Sequence, residues 1–180
     1  MRIKSLLNKH AKAFTSVNTG EIRFDPAFGA ACEQNACGFY GACWMCPPDV
    51  GLINDWIAKA RALDHAIVFQ TVKPLEDSFD IEGMRHAARA HNRLIVRLRH
   101  AAAEEGIDCL LLGAGTCGGC SECARKRNKP CAHPDRAVVP LEAAGVDVTR
   151  LANLAGMPYI NGKNTVTYFG LLLYRGKLEL

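Results

Sequence analysis

Eight of the nine cysteines in this 180-residue chain fall into two compact groups, a pattern that strongly constrains what the chain can fold into. The count is odd, and residues 1–19 lack the apolar stretch of a secretion signal, so a disulfide framework is not expected. In a reducing compartment, clustered thiols are more typical of metal ligands. We therefore predict a cytoplasmic metal protein, with the candidate ligands Cys32, Cys37, Cys43, Cys46, Cys117, Cys120, Cys123 and Cys131.

The second group, in segment 117–134, has the spacing C-x2-C-x2-C-x7-C. A structural zinc site usually takes two CxxC pairs separated by a dozen or more residues. Three thiols at x2 spacing instead resemble the run that holds an iron–sulfur cluster, in which each thiolate binds a different iron. The fourth cysteine of such a run normally comes sooner than Cys131 does. The match is therefore good for three ligands and loose for the fourth.

The first group, in segment 32–48, has the looser spacing C-x4-C-x5-C-x2-C and ends before Pro47 and Pro48. A proline after the last ligand turns the chain away and removes a competing backbone donor. Gly38 and Gly41 are expected to supply turns. Four cysteines are also a structural zinc set, so zinc stays an alternative to a [4Fe–4S] cluster, above all at this site.

The composition is typical of a globular protein. Hydrophobic residues make up 49 % of the chain and charged residues 22 %, which is ordinary for a globular protein. The length suits a single domain spanning residues 1–180. No apolar run reaches the roughly 18 residues of a membrane span. The net charge of +4 is too small to imply nucleic-acid binding.

Helix and strand patterns alternate along the chain. A long apolar stripe at helical spacing predicts a helix over 80–105, with Asp80 as its N-cap and Gly106 ending it. Apolar and β-branched runs on either side of it predict two strands joined by this helix, a βαβ unit. We therefore predict an α/β fold, a small sandwich with two cysteine-rich loops. The predicted helices are 51–63, 80–105, 141–144 and 149–154, and the predicted strands are 65–72, 107–112 and 165–174.

The chain also resembles a known group of proteins. The segments CEQNACGFYGACWMCPP (32–48) and CGGCSEC (117–123) resemble those of an uncharacterised prokaryotic family of predicted metal-binding proteins, as do CAHP (131–134), LEAAGVDV (141–148) and YFGLLL (168–173). The similarity covers roughly residues 22–174. It implies eight cysteine ligands in two sites and supplies no reaction.

From these observations we expect a protein that binds two [4Fe–4S] clusters and transfers electrons. The alternative from another class is an enzyme whose substrate binds at an open iron, with Cys32 or Cys131 as the replaceable ligand because each lies at a long spacing. A third alternative is a structural zinc protein. Cys109 stands alone in an apolar strand and is expected to be a buried core residue rather than a ligand.

A basic run follows the second cysteine group and consists of Arg125, Lys126, Arg127 and Lys129. Such a run is most often a solvated face. As a functional alternative, it would offset the negative charge of a thiolate-bound cluster and dock an acidic redox partner. The sequence does not determine the oligomeric state.

Overall fold

A computed structural model describes residues 2–178 of the chain. Its helices are α1 (Arg2–His10), α2 (Phe28–Glu33), α3 (Ile53–Arg61), α4 (Ile81–Glu104) and α5 (Val148–Leu154). Its strands are β1 (Ala13–Asn18), β2 (His65–Pro74), β3 (Cys109–Gly113), β4 (Val139–Pro140) and β5 (Thr165–Tyr174). The predicted α/β class is confirmed.

The five strands form one mixed sheet in the order β1-β2-β5-β3-β4. Strand β5 runs antiparallel to both β2 and β3, and β3 pairs in parallel with β4. Strands β2 and β3 are therefore parallel to each other, and α4 connects them as predicted. The βαβ unit is split, because β5 lies between its two strands.

Helices cover both faces of the sheet, because side chains alternate along each strand. On β2, Ile67 and Phe69 pack against α1 and α4, while Ala66 and Val68 face the side of α3 and α5. All four are fully buried. The apolar stripe of α4 thus lies on one face of the sheet and leaves the opposite side of the helix exposed.

The N-cap predicted for α4 is confirmed, since the Asp80 carboxylate accepts a hydrogen bond from the Gly83 N–H at 2.7 Å. Gly106 follows the helix with φ +68, as a helix-ending glycine should. Further along, the chain leaves β3 and enters the second cysteine segment directly. The carboxyl end of β3 therefore fixes where that segment begins.

Candidate metal centre

The first cysteine segment begins in the last turn of α2, which contains Cys32, and continues as a series of turns toward α3. Gly38 and Gly41 have positive φ values of 75 and 64, so they supply the expected turns. The Cys46 N–H donates to the Cys43 carbonyl at 2.9 Å, which places both cysteines on one turn. They are 7 % and 4 % exposed, whereas Cys37 is exposed and Cys32 is half-buried.

The second cysteine segment is tied to α4 at its first cysteine. The side-chain amide of buried Asn92 donates to the carbonyl oxygens of Thr116 and Cys117, at 3.0 and 2.7 Å. Gly118 has φ +57, and a Cβ there would stand 3.1 Å from the same amide nitrogen. The Val138 N–H lies 3.5 Å from the Cys117 Sγ and donates to it. Helix α4 and the residue just before β4 therefore hold Cys117 in place.

The two segments are joined to each other by three contacts. The Trp44 indole N–H donates to the Lys129 carbonyl at 2.9 Å. The Arg125 guanidinium forms an ion pair with Asp49 at 2.7 Å and lies 5.2 Å from the centre of the Trp44 ring. The paired side chains of Arg125 and Asp49 are only 24 % and 13 % exposed. These contacts bring cysteines about 75 residues apart in sequence to one place.

Removal of this ion pair tests whether it stabilises the joined segments. Asp49→Ala leaves a half-buried guanidinium without its partner, which we expect to cost about 1–2 kcal/mol, between the costs for exposed and buried pairs. The matched control is Glu122→Ala, because Glu122 pairs with Arg127 at 3.7 Å and both side chains are more than half exposed. The control should change stability by less than about 0.5 kcal/mol in urea unfolding. Equal losses would contradict the assigned role.

The eight clustered cysteines line two neighbouring cavities. One cavity, of about 90 Å³, is lined by five of them, and we call it the five-thiol cavity. The other, of about 240 Å³, is lined by three and is called the three-thiol cavity. The five are Cys43, Cys117, Cys120, Cys123 and Cys131, and the three are Cys32, Cys37 and Cys46.

This division differs from the sequence grouping at one residue. Cys43 belongs to the first group by spacing, yet it lines the cavity of the second group. Cys46, on the same turn, lines the other cavity, so Cys43 lies where the two cavities meet. Within residues 2–178, no three His, Cys, Asp or Glu side chains converge closely enough to hold a single metal ion.

The pKa values of the cysteine thiols differ from one another. The hydrogen bond from Cys46, with help from nearby backbone N–H groups, lowers the pKa of Cys43 to about 6. The same bond raises the pKa of Cys46, and burial raises it further. Burial is also the main cause of the raised pKa values of Cys32 and Cys117. Deprotonating the whole set is therefore costly without a cation, which is how metal binding becomes coupled to proton release.

Glu142 is a site residue that sequence reasoning missed. It begins a short 3-10 turn after β4 and lines the three-thiol cavity, where it adds the only carboxylate to the lining. Burial raises the pKa of this carboxyl group. Cys32 lines the same cavity, and the negative charge of Glu142 contributes to the raised pKa of its thiol. A single acidic residue inside the apolar run LEAAGV was the signal available in the sequence.

The positions of Cys109 and of the basic run bear on two other sequence interpretations. Cys109 lies at the start of β3, packs against the core beneath α4 and lines neither cysteine cavity. The docking face predicted from the basic run needs a correction at Arg125, because this residue is half-buried and bound to Asp49. Arg127 lies beside Glu122, which leaves Lys126 and Lys129 as the exposed cations of the run without an ion pair among residues 2–178.

Comparison with known proteins gives the class of the chain. The profile of the family described as "Predicted metal-binding protein (DUF2284)" matches residues 15–174. The chain therefore belongs to this family of predicted metal-binding proteins. No curated protein and no solved structure matches it significantly. None of the helices in residues 2–178 is long and apolar enough to span a membrane.

Proposed function

We propose that the protein binds two [4Fe–4S] clusters, one in each cysteine cavity, and transfers electrons in the cytoplasm. The observation that carries this proposal is the turn of Cys43 and Cys46, whose two cysteines are joined by a backbone hydrogen bond and line different cavities. Several thiols around one cavity suit a cluster, because each thiolate binds a different iron. Eight thiols of this kind fit the chemistry of such a cofactor.

The residues around the cavities would do four things toward these clusters. The thiols would hold the irons, and each cluster, when bound, supplies a one-electron redox couple. The Val138 N–H already donates to the Cys117 sulfur, a bond of the type that tunes potential. Phe39 and Trp44 line the five-thiol cavity and would exclude water from it. Lys126 lines the same cavity and would offset negative charge.

The position of the two cavities supports transfer rather than storage of electrons. The cavities meet at buried Cys43 and Cys46, so an electron would not need to leave the protein to pass between them. Cys120 and Cys37 are exposed, so each cavity also has one thiol at the surface. A redox partner could therefore approach either end. This partner is expected to be a protein.

Anaerobic purification followed by metal analysis tests the proposal. We expect about eight irons and about eight labile sulfides per chain, with broad visible absorbance, because two sets of thiols each suit a four-iron cluster. One-electron reduction should bleach the visible absorbance. Two zinc ions with no sulfide would contradict the proposal and support the structural zinc alternative.

A second candidate function is an iron–sulfur enzyme whose substrate binds at an open iron. It is favoured by one observation, the presence of only three thiols in the three-thiol cavity. The open iron would then face Glu142. The sequence spacing had instead suggested Cys32 or Cys131 as the replaceable ligand. A carboxylate is a harder ligand than a thiolate and binds such iron less firmly. A small molecule that perturbs the visible absorbance spectrum of the purified protein would support the enzyme over the electron carrier.

A further inference from the structure

A row of arginines follows the exposed side of α4. Arg89, Arg93 and Arg97 recur every four residues, so they lie one above the other on the same face of the helix. Successive members are separated by about 6 Å along the helix axis. All three side chains are exposed. The three arginines are separated by other residues along the sequence, so they do not stand out as a charge run.

The arginine row forms one wall of a cavity of about 350 Å³, which we call the arginine cavity. The opposite wall is Arg136 together with the loop that begins at Cys117. The volume lies within the usual range for small-molecule sites. Among residues 2–178, no acidic side chain lines it, and the lining is Arg89, Asn92, Arg93, Val96, Arg97, Cys117, Gly118, Gly119 and Arg136.

Little negative charge compensates these guanidinium groups. Among residues 2–178, no carboxylate forms a salt bridge with Arg89, Arg93 or Arg97, and the Arg97 guanidinium lies 3.0 Å from the His10 imidazole. Arg136 lies 3.7 Å from Asp135, and both side chains are 63 % exposed. That exposed pair is weak.

The positive charge extends past the cavity. Arg93 and Arg97 also line a neighbouring cavity of about 200 Å³ together with Lys73 and His10. Burial lowers the pKa of His10, and the charges of Arg97, Lys9 and Lys73 lower it further. The surface around this part of α4 is therefore continuously positive. It is concave where the arginine row meets the loop that begins at Cys117.

We propose that the arginine cavity is a binding site for a small polyanion that carries phosphate or carboxylate groups. The planar fork of a guanidinium binds either group through two parallel hydrogen bonds, and several forks around one concavity select for several charges. The concave shape favours a small molecule over the flat face of a partner protein. The site touches Cys117, so a bound anion would lie against the loop of the five-thiol cavity. This inference does not depend on which metal that cavity holds.

Calorimetric titration of the purified full-length protein tests the inference, with inorganic pyrophosphate and citrate as probes at fixed ionic strength. We expect saturable binding of at least one probe, with one site per chain. Arg93→Ala should weaken it about ten- to hundredfold, because charge-assisted hydrogen bonds are lost. Tighter binding of pyrophosphate would assign a phosphate ligand, and tighter binding of citrate a carboxylate ligand.

The matched control is Arg85→Ala, which removes the same exposed group from α4 one turn before the cavity. It should leave binding within about twofold of wild type. Arg93→Lys keeps the charge and loses the fork, so its affinity should fall between those of wild type and Arg93→Ala. Thermal unfolding of each variant checks that it is folded. Absence of saturable binding, or equal weakening by Arg85→Ala and Arg93→Ala, would overturn the proposal.

Discussion

Cys46→Ala is expected to lower the iron content from about eight to about four per chain, whereas Cys43→Ala should keep close to eight. The two residues lie on the same buried turn, three positions apart, so general disruption of the segment affects both variants alike. What differs is the cavity that each thiol lines. Removal of Cys46 leaves two thiols in the three-thiol cavity, while removal of Cys43 leaves four in the five-thiol cavity.

Iron and labile sulfide are measured after anaerobic reconstitution of each variant, beside the wild-type protein. Cys109→Ala is the control for losing a half-buried thiol, because Cys109 lines neither cavity. It should keep its full iron content and lose on the order of 1 kcal/mol of stability. Equal iron loss in the Cys43 and Cys46 variants would contradict this division. It would support two sites of four cysteines each, grouped as in the sequence.

The elements that the sequence predicted well have strong local signals. Helix α4 has a long apolar stripe and a capping aspartate, and β5 is a ten-residue run of mostly apolar and β-branched residues, predicted with the same bounds. Helix α1 and strand β1 were missed. Their segment is short of apolar residues, and only Ile3 and Leu7 of α1 are buried. Packing on α4 and pairing with β2, rather than local pattern, hold these two elements in place.

No local sequence pattern predicts how the thiols are divided between the two cavities. Spacing along the chain assigns Cys43 to its sequence neighbours, but contacts between the two cysteine segments place it at the cavity of the second group. Those contacts include the ion pair of Arg125 with Asp49, two residues that sequence spacing does not connect. The alternative docking face included Arg125 for the same reason, because a charge run in the sequence gives no information about a carboxylate far away along the chain. Glu142 reaches the three-thiol cavity only because β4 pairs with β3.

The arginine cavity and the five-thiol cavity share Cys117, Gly118 and Gly119. An anion bound on one side of this loop would therefore act on the Cys117 thiol through the backbone and through its own charge. A negative charge beside a cluster disfavours the addition of an electron. Under the two proposals together, an anion in the arginine cavity would therefore make the neighbouring cluster harder to reduce.

Glu142→Cys is expected to slow the release of iron from the air-exposed protein about tenfold or more. In the wild type, the three-thiol cavity offers three thiolates and the Glu142 carboxylate, and iron–sulfur clusters favour soft thiolate ligands. About one iron of the eight should therefore leave before the others. A fourth thiol at position 142 would hold that iron. Iron release to a chelator gives the rate, and paramagnetic resonance shows whether a single iron has left.

Glu122→Cys is the matched control, because Glu122 lines the five-thiol cavity, where a further thiol is not needed. Its rate of iron release should equal that of the wild type. Glu142→Gln removes the charge with little change of size, so it should release its first iron faster than the wild type does. If all four proteins release iron at one rate, Glu142 does not face the cluster, and the three-thiol cavity must take its fourth ligand from elsewhere. That result would leave the total of eight irons intact, so it would count against the role of Glu142 and not against the clusters themselves.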